Sequence, residues 1–354
     1  MEEKLHLPSS DDVNSVVKIG DRDLPSFPQV AAKLMELSKD ETGSLPDLAK
    51  VIETDPGIAV RVLEMANSAM TGIRREITAL SEAVVILGLD EVKKMALSVT
   101  VFQSFFKSGA SHGFDRLLFW RHCLCVALLS MDIAKKTGHP DPEEAYIAGL
   151  LHDLGKIFLD TRGHKDYGDF ITSVSTSTDI VIDEERRVFG LGHDDLGAYF
   201  CSQWGLPDAL ALAAKYHHQP YGNLGLPDKE KRLIAIVSLA DFLCWTQGLG
   251  SFDFIRPPVL SPEVEKNIDL DRLDIVESIM KMNQEIESIS QFYQFVFPSA
   301  GQIRENILKA NLKLSRANTR YYFQEDPLAK AEPATAPSYS DMGMELGKPL
   351  AKAK

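Results

Sequence analysis

The sequence predicts an all-α protein. Three observations carry the prediction: apolar residues recur at helical rather than alternating spacing, capping residues stand where the apolar stripes begin, and the connections between stripes are short. After a polar lead-in (residues 1–20), SFPQVAAKLMELSKD sets Val30, Leu34 and Leu37 at helical spacing, with Pro28 near a first-turn position. SLPDLAKVIETD follows with Ser44 as cap and Leu48, Val51 and Ile52 on one side. DPGIAVRVLEMANSAM has Asp55 as cap, Pro56 at the first helical position, and Ile58, Val62 and Met65 as its stripe. LSEAVVILGLDEVKKMALSV reads as a helix capped by Ser81 and closed by Gly88, then a second capped by Asp90. Residues 21–112 are therefore expected to form one helical bundle, and they contain no cluster of catalytic residue types.

The chemistry is expected in the next unit, residues 113–260, because seven of the nine histidines fall between positions 122 and 218. Beyond it, residues 261–323 read as packing helices, including a stripe of Ile303, Ile307 and Leu314. Residues 324–354, rich in Pro, Ala, Gly and Ser with few large apolar side chains, read as a disordered tail.

Composition narrows the function classes. A formal charge of −13 opposes broad attachment to phosphate backbones or anionic lipid, so nucleic acid is disfavoured as a partner. The cysteines Cys123, Cys125, Cys201 and Cys244 form no CxxC pair, which argues against a zinc ribbon or redox motif and for a reducing cytoplasm. The first residues lack a secretory signal pattern. The most apolar segment, Cys123 to Met131, is far shorter than the ~20 residues that cross a bilayer, so no membrane insertion is expected.

The informative segment is DPEEAYIAGLLHDLGKIFLD. Asp141 caps a helix, Pro142 starts it, and His152-Asp153 follows some turns later with Lys156 one turn beyond His152. An adjacent His-Asp pair can place imidazole and carboxylate on one metal, or let the carboxylate bridge two, while the lysine can reach a bound phosphate. Other helices set polar residues on apolar sides. His122 lies between Leu118 and Val126, Asp241 follows Ile234 and Val237, and His217 shares a face with Leu210 and Ala214, next to His218 and just before Pro220. His193 opens HDDLGAYFCSQWG.

Each residue alone has a plainer role, as a satisfied core histidine, a helix cap for His193, or a buried salt-bridge partner for Asp241. The order His122, His152-Asp153, His193, His217-His218, Asp241 is harder to attribute to chance. Imidazoles with carboxylates suit Fe, Mn, Zn, Ni or Co better than Ca or Mg, as one or two ions, and ligand type alone does not choose among them; Fe or Mn is the expectation carried forward.

This order resembles the HD superfamily of metal-dependent phosphohydrolases, with the extra histidines of its HD-GYP members. LPSFPQV, ETDPGIAVRVLEMANSA and ITALSEAVVILGLDEVKKMAL resemble the N-terminal half of the HDOD family, the HD-related output domain of bacterial signalling proteins. The resemblance implies an HD-like helical domain preceded by an HDOD bundle, and a regulatory role with signalling proteins as partners. A phosphorylated or nucleotide ligand, or active phosphohydrolase chemistry, is the alternative. It implies one metal held by His122, His152, Asp153 and Asp241 and a second by Asp153, His193, His217 and His218, with Asp153 bridging. Lys156 matches the lysine of the HDxGK motif and would act on phosphate charge. Where HD-GYP proteins continue HHE and then GYP, this chain reads HHQPYGNLGLP, with Gln219 in place of the acid.

Overall fold

The computed structural model describes residues 6–18, 27–39, 45–67, 75, 77–105, 113–174, 180–251 and 260–293, with 305, 308 and 309. Among them the regular structure is helical, as the apolar spacing predicts, and one isolated antiparallel bridge joins Val17 to Gly163.

The first helix comes earlier than the sequence suggests. α1 (Ser10–Val16) lies inside the expected lead-in, closed by a reciprocal capping box between Ser9 and Asp12. It buries only Val13 and Val16, too few apolar positions to display a period, so the Ser9–Asp12 spacing is the signal that could have revealed it. Backbone bonds from Lys18 to Arg162 (2.8 Å) and from His164 to Val16 (3.0 Å) pin this segment to the chain leaving α9 (Leu154–Arg162).

The bundle follows as α2 (Gln29–Lys39), α3 (Leu45–Glu53), α4 (Pro56–Ala66), α5 (Leu80–Leu87) and α6 (Leu89–Phe105). Leu34, Leu48, Ile52, Ile58 and Val62 from the expected stripes are buried, with Val30, Val51 and Met65 packed at their edges. Asp55 caps α4 through the amides of Gly57 and Ile58, with Pro56 starting the helix. Two caps differ. α5 begins at Leu80, so Ser81 lies inside it and Ala79 takes the cap position without a side-chain bond. Asp90 sits in the first turn of α6 because the carbonyl of Gly88 already accepts the bond from Val92. Gly88, at φ +84°, thus closes α5 and opens α6 without a spacer. The expected cap Ser44, the side chain of Leu37, and His112 lie outside the described residues, as do most of the second C-terminal stripe and the tail.

The second half is built around α7 (Arg116–Thr137), capped by Asp115 and closed by Gly138 in the left-handed region at φ +70°. α7 is long and apolar enough to cross a membrane, but 89% of that stretch is buried inside the protein, where it serves as the central core helix. α8 (Pro142–Leu151), α14 (Asp228–Thr246) and α16 (Ile275–Tyr293) pack on it. Gly149 permits the close approach of α8, since a Cβ there would sit 2.9 Å from the Ala127 Cα, the Ser130 Oγ and the Val126 carbonyl. α12 (His193–Gln203) packs on α9, α11 (Val181–Phe189) and α13 (Asp208–Tyr216), α13 also packs on α8 and α14, α10 (Tyr167–Val174) packs on α9, and α15 (Glu263–Asn267) packs on α14. The four cysteines are free and buried.

Candidate metal centre

Five elements of the second half converge on Asp153, which lies between the end of α8 and the start of α9. Its side chain makes no cap bond and is free to point inward. The second turn of α7 brings His122, the end of α8 brings His152, the first residue of α12 is His193, and α14 brings Asp241. α13 stops at Tyr216, so His217 and His218 stand in the turn beyond its last residue, with their rings 4.1 Å apart and both directed to the cluster. Leu118, expected on the His122 face, is half-exposed near the start of α7, whereas His122 lies deep in the core.

The histidine tautomers follow from their outer partners. Nδ1 of His122 donates to the Leu249 carbonyl (2.7 Å), that of His152 to the Gly149 carbonyl (2.7 Å), and that of His217 to the Ala214 carbonyl (2.8 Å). Carbonyl oxygens only accept, so each Nδ1 carries the proton and Nε2 is turned inward. His193 Nδ1 donates to the Glu185 carboxylate at 2.5 Å. All four Nε2 atoms are buried without a hydrogen-bond partner, and so is Asp153 Oδ1.

The two oxygens of Asp153 divide these nitrogens. Oδ2 lies 3.5 Å from His122 Nε2 and 3.4 Å from His152 Nε2, while Oδ1 lies 3.2 Å from His193 Nε2 and 3.5 Å from His217 Nε2. Asp241 completes one side at 3.2 Å from His122 Nε2 and 3.9 Å from His152 Nε2, and its other oxygen lies 3.7 Å from His218 Nε2. Two sets of donor atoms result, His122, His152 and Asp241 on one side and Asp153, His193, His217 and His218 on the other, each compact enough to hold an ion. Donors bound to one metal at about 2.0–2.2 Å stand roughly 3–4 Å from one another, which is the spacing found here.

Electrostatics favours a cation. The buried carboxylates Asp153, Asp241 and Glu185 face one buried ammonium, Lys156, so the remaining negative charge falls to protonated imidazoles or to a bound cation. Burial opposes ionisation of Asp153, yet the charges of Lys156, His152 and His193 outweigh it and hold the carboxyl well below its usual range. Burial likewise opposes ionisation of Asp241, but the His122 ring 3.2 Å away and the neighbouring imidazoles pull its carboxyl down. His122 is desolvated too, yet the adjacent carboxylates of Asp153 and Asp241 lift it to about 9. Burial pushes His152 and His218 the other way, toward the neutral imidazole that ligates metals. A proton can therefore stand between His122 and its carboxylates, while the lone pair of His152, 3.4 Å from an anionic oxygen, calls for a metal cation.

Lys156, expected to reach a phosphate, directs its ammonium to Asp153 Oδ2 (2.5 Å) and to Ser251 Oγ (3.1 Å). Gln219 lies apart from the donor sets and donates to Asp194, which also pairs with Arg186. Sequence reasoning missed Glu185, Ser251 and the role of Gly155. Glu185 is fully buried, accepts from both the backbone N–H (2.8 Å) and Nδ1 of His193, and receives the Tyr167 hydroxyl (2.7 Å). Its signal was present, since Ile182, Glu185 and Phe189 form the buried face of α11 with a carboxylate in the middle. Gly155 lets α9 meet the start of α12, for a Cβ there would lie 1.9 Å from the His193 carbonyl oxygen. Ser251 follows α14 in a bend with no periodic pattern to expose it.

Comparison with known proteins agrees with this architecture. An HDOD domain protein of unknown function from Geobacter sulfurreducens superposes with a TM-score of 0.65 at 25% identity, covering 81% of this chain and 97% of its own. A provisionally named signal transduction protein from Marinobacter aquaeolei VT8 gives 0.62 at 20% identity, covering 83% and 65%. A provisionally named phosphohydrolase from Shewanella amazonensis SB2B gives 0.54 at 20% identity, covering 80% and 95%, and both of these attest the fold alone. In sequence the chain is 26% identical to an uncharacterized protein of Treponema pallidum (strain Nichols) over 63% of its length and 43% of the relative's. A second relative, the uncharacterized protein YuxH of Bacillus subtilis (strain 168), is 23% identical over 42% of this chain and 34% of its own. The chain thus spans less than half the length of these curated relatives. The HDOD domain profile matches residues 24–220, more than half of the chain, and on that match, joined to the helical bundle and the histidine-aspartate cluster beside it, the chain belongs to the HDOD domain family.

Proposed function

We propose that this chain is a regulatory HDOD protein of bacterial signal transduction, acting in the cytoplasm through other signalling proteins, with a transition-metal centre in its HD-like half. In this reading residues 21–112 are the HDOD bundle, 113–260 the metal-binding unit, and 261–323 accessory helices. The observation that carries it is the set of four imidazoles whose Nδ1 atoms are anchored outward and whose unpartnered Nε2 atoms converge on one buried carboxylate. His122, His152, Asp153 and Asp241 would hold one ion and Asp153, His193, His217 and His218 a second, with Fe or Mn favoured. The donors are almost wholly enclosed, His218 being the most exposed, which suits a structural or sensing centre better than one open to a large substrate.

A phosphohydrolase is the second reading, favoured by Lys156. Its buried ammonium lies against the carboxylate that would bridge the ions, where it could neutralise charge on a phosphoryl oxygen, with Ser251 orienting it. Bound divalent ions would supply Lewis acidity and a nucleophile from water at neutral pH.

The test is elemental analysis of protein purified without added metal or chelator, beside Asp153→Ala. About two equivalents of transition metal, lost in the folded variant, support the centre. Protein that neither retains metal nor binds Fe or Mn on anaerobic reconstitution refutes it. Hydrolysis of nucleotides or cyclic dinucleotides that disappears in Asp153→Ala selects the enzyme. Partner binding that survives the same substitution, without turnover in either protein, selects the regulatory role.

A further inference from the structure

The five imidazoles of the centre are not held alike. Nδ1 is fixed by a backbone carbonyl in His122, His152 and His217 and by Glu185 in His193, and none of these four side chains is more than 2% exposed. The His218 side chain is 12% exposed, and its ring makes no hydrogen bond to a described residue. It stands within reach of two carboxylates, Asp153 in the second donor set and Asp241 in the first, whose Oδ2 lies 3.7 Å from its Nε2. The restraint on His218 comes from the residue after it. Gln219 Nε2 donates to Asp194 Oδ2 (3.0 Å), and Asp194 is wholly buried beside His193, where Arg186 of α11 bonds the same oxygen (2.5 Å). The Gln219 bond ties the turn carrying His217 and His218 to the first turn of α12, which carries His193. His122, His152 and Asp241 come from α7, the end of α8 and α14, elements that this bond does not join.

We infer that Gln219 is a positioning residue for the second ion. It gives no donor to the metal; its bond to Asp194 is a latch that keeps His218 in the set with Asp153, His193 and His217. Releasing the latch frees the ring to turn toward Asp241 or solvent, because no other hydrogen bond aims it. The second set then keeps three donors, while the first keeps all of its own. An outer contact that orients a ligand acts on affinity without touching the metal, and here one part-exposed amide does so for one of the two positions. The centre thereby gains a one-ion and a two-ion state set by a single contact near the surface. This inference rests on the two-ion reading above.

Manganese(II) titrated into the metal-free full chain, followed by electron paramagnetic resonance, tests this. Two adjacent manganese ions are spin-coupled and a single ion is not, so the spectrum reports how many each molecule holds. His218→Ala supplies the one-ion spectrum. Gln219→Leu is expected to weaken the second binding step about tenfold, to leave the first within about twofold, and to show the His218→Ala spectrum at intermediate manganese. Thermal unfolding of its metal-free form should stay close to that of the unsubstituted protein, which a merely structural role for Gln219 would not allow. Gln219→Glu, which sets a second carboxylate against Asp194, is expected to weaken the same step at least as far. Unchanged binding in Gln219→Leu, both steps weakened alike, or tighter binding in Gln219→Glu overturns the proposal. Unsubstituted protein that takes up no second ion overturns the two-ion reading and this proposal with it, an outcome distinct from two ions held without regard to Gln219.

Discussion

Glu185 offers the sharpest test of how the centre is held. Its carboxylate receives three buried donors, the His193 backbone N–H, the His193 ring N–H and the Tyr167 hydroxyl. Glu185→Ala leaves all three without an acceptor, at about 1–3 kcal/mol for each buried unsatisfied group. Water entering the vacated space should bring the total to the lower end, about 3 kcal/mol, a large share of the roughly 5–15 kcal/mol that stabilises a domain. The local effect is larger than the global one, because His193 loses the partner that fixes its tautomer and aims Nε2 at Asp153 (3.2 Å). Removing such an outer partner of a metal-bound histidine typically weakens metal binding about 10–100-fold. Glu185→Gln keeps the shape and one acceptor oxygen for His193 while its amide can donate to the Tyr167 oxygen, so it should lose about tenfold in affinity with a smaller stability change. Competition of loaded protein against a calibrated chelator, paired with thermal unfolding of the metal-free forms, separates the two effects. Folded Glu185→Ala that holds metal as tightly as the unsubstituted protein would refute the reasoning.

Two further substitutions probe packing and charge. Gly155→Ala places its Cβ against the His193 carbonyl oxygen, carbon and Cα, backbone atoms that cannot rotate away, so α9 and α12 must separate. A loss of about 1–3 kcal/mol is expected in thermal unfolding, together with reduced metal content. Asp132 on α7 is buried, and burial alone would raise its carboxyl. Bonds from Lys281, Ser278 and Lys136 outweigh that and hold it below its ordinary value. A depressed folded pKa stabilises above the unfolded value near ~3.9 and is lost as pH falls through the folded one. Asp132→Asn should therefore melt below the unsubstituted protein at neutral pH, with the gap closing as pH drops from about 4. A gap independent of pH would count against the Lys281 contact that docks α16 and the Lys136 contact within α7.

Much was legible in the sequence because it is local. Apolar residues three and four apart predicted the helices, and Asp55 and Asp141 stand at the starts of α4 and α8 with their side chains bonded to first-turn amides. His122, His217 and Asp241 could be singled out because each is a polar residue on an otherwise apolar face, a conflict that a single helix already contains. α1 and the caps at Ser81 and Asp90 were misread for the converse reason: a seven-residue helix shows no period, α5 begins one residue before Ser81, after Ala79, which offers no cap side chain, and the shared Gly88 takes the cap place before α6.

What only the tertiary structure decided is which of these groups meet, and from which side. His152 and His217 bond the carbonyls of Gly149 and Ala214 three residues before them, a local contact, but that His122 Nδ1 is taken by the Leu249 carbonyl depends on where a distant loop lies relative to the ring. Glu185 meets His193, Lys156 turns onto Asp153 rather than outward, and the oxygens of Asp153 divide the imidazoles into two sets, because α9, α11, α12 and α13 are fixed against one another by core packing. Periodicity fixes the direction of a side chain about its own helix axis. The distance between two such side chains depends on how separate helices pack, and that information is spread over the whole core.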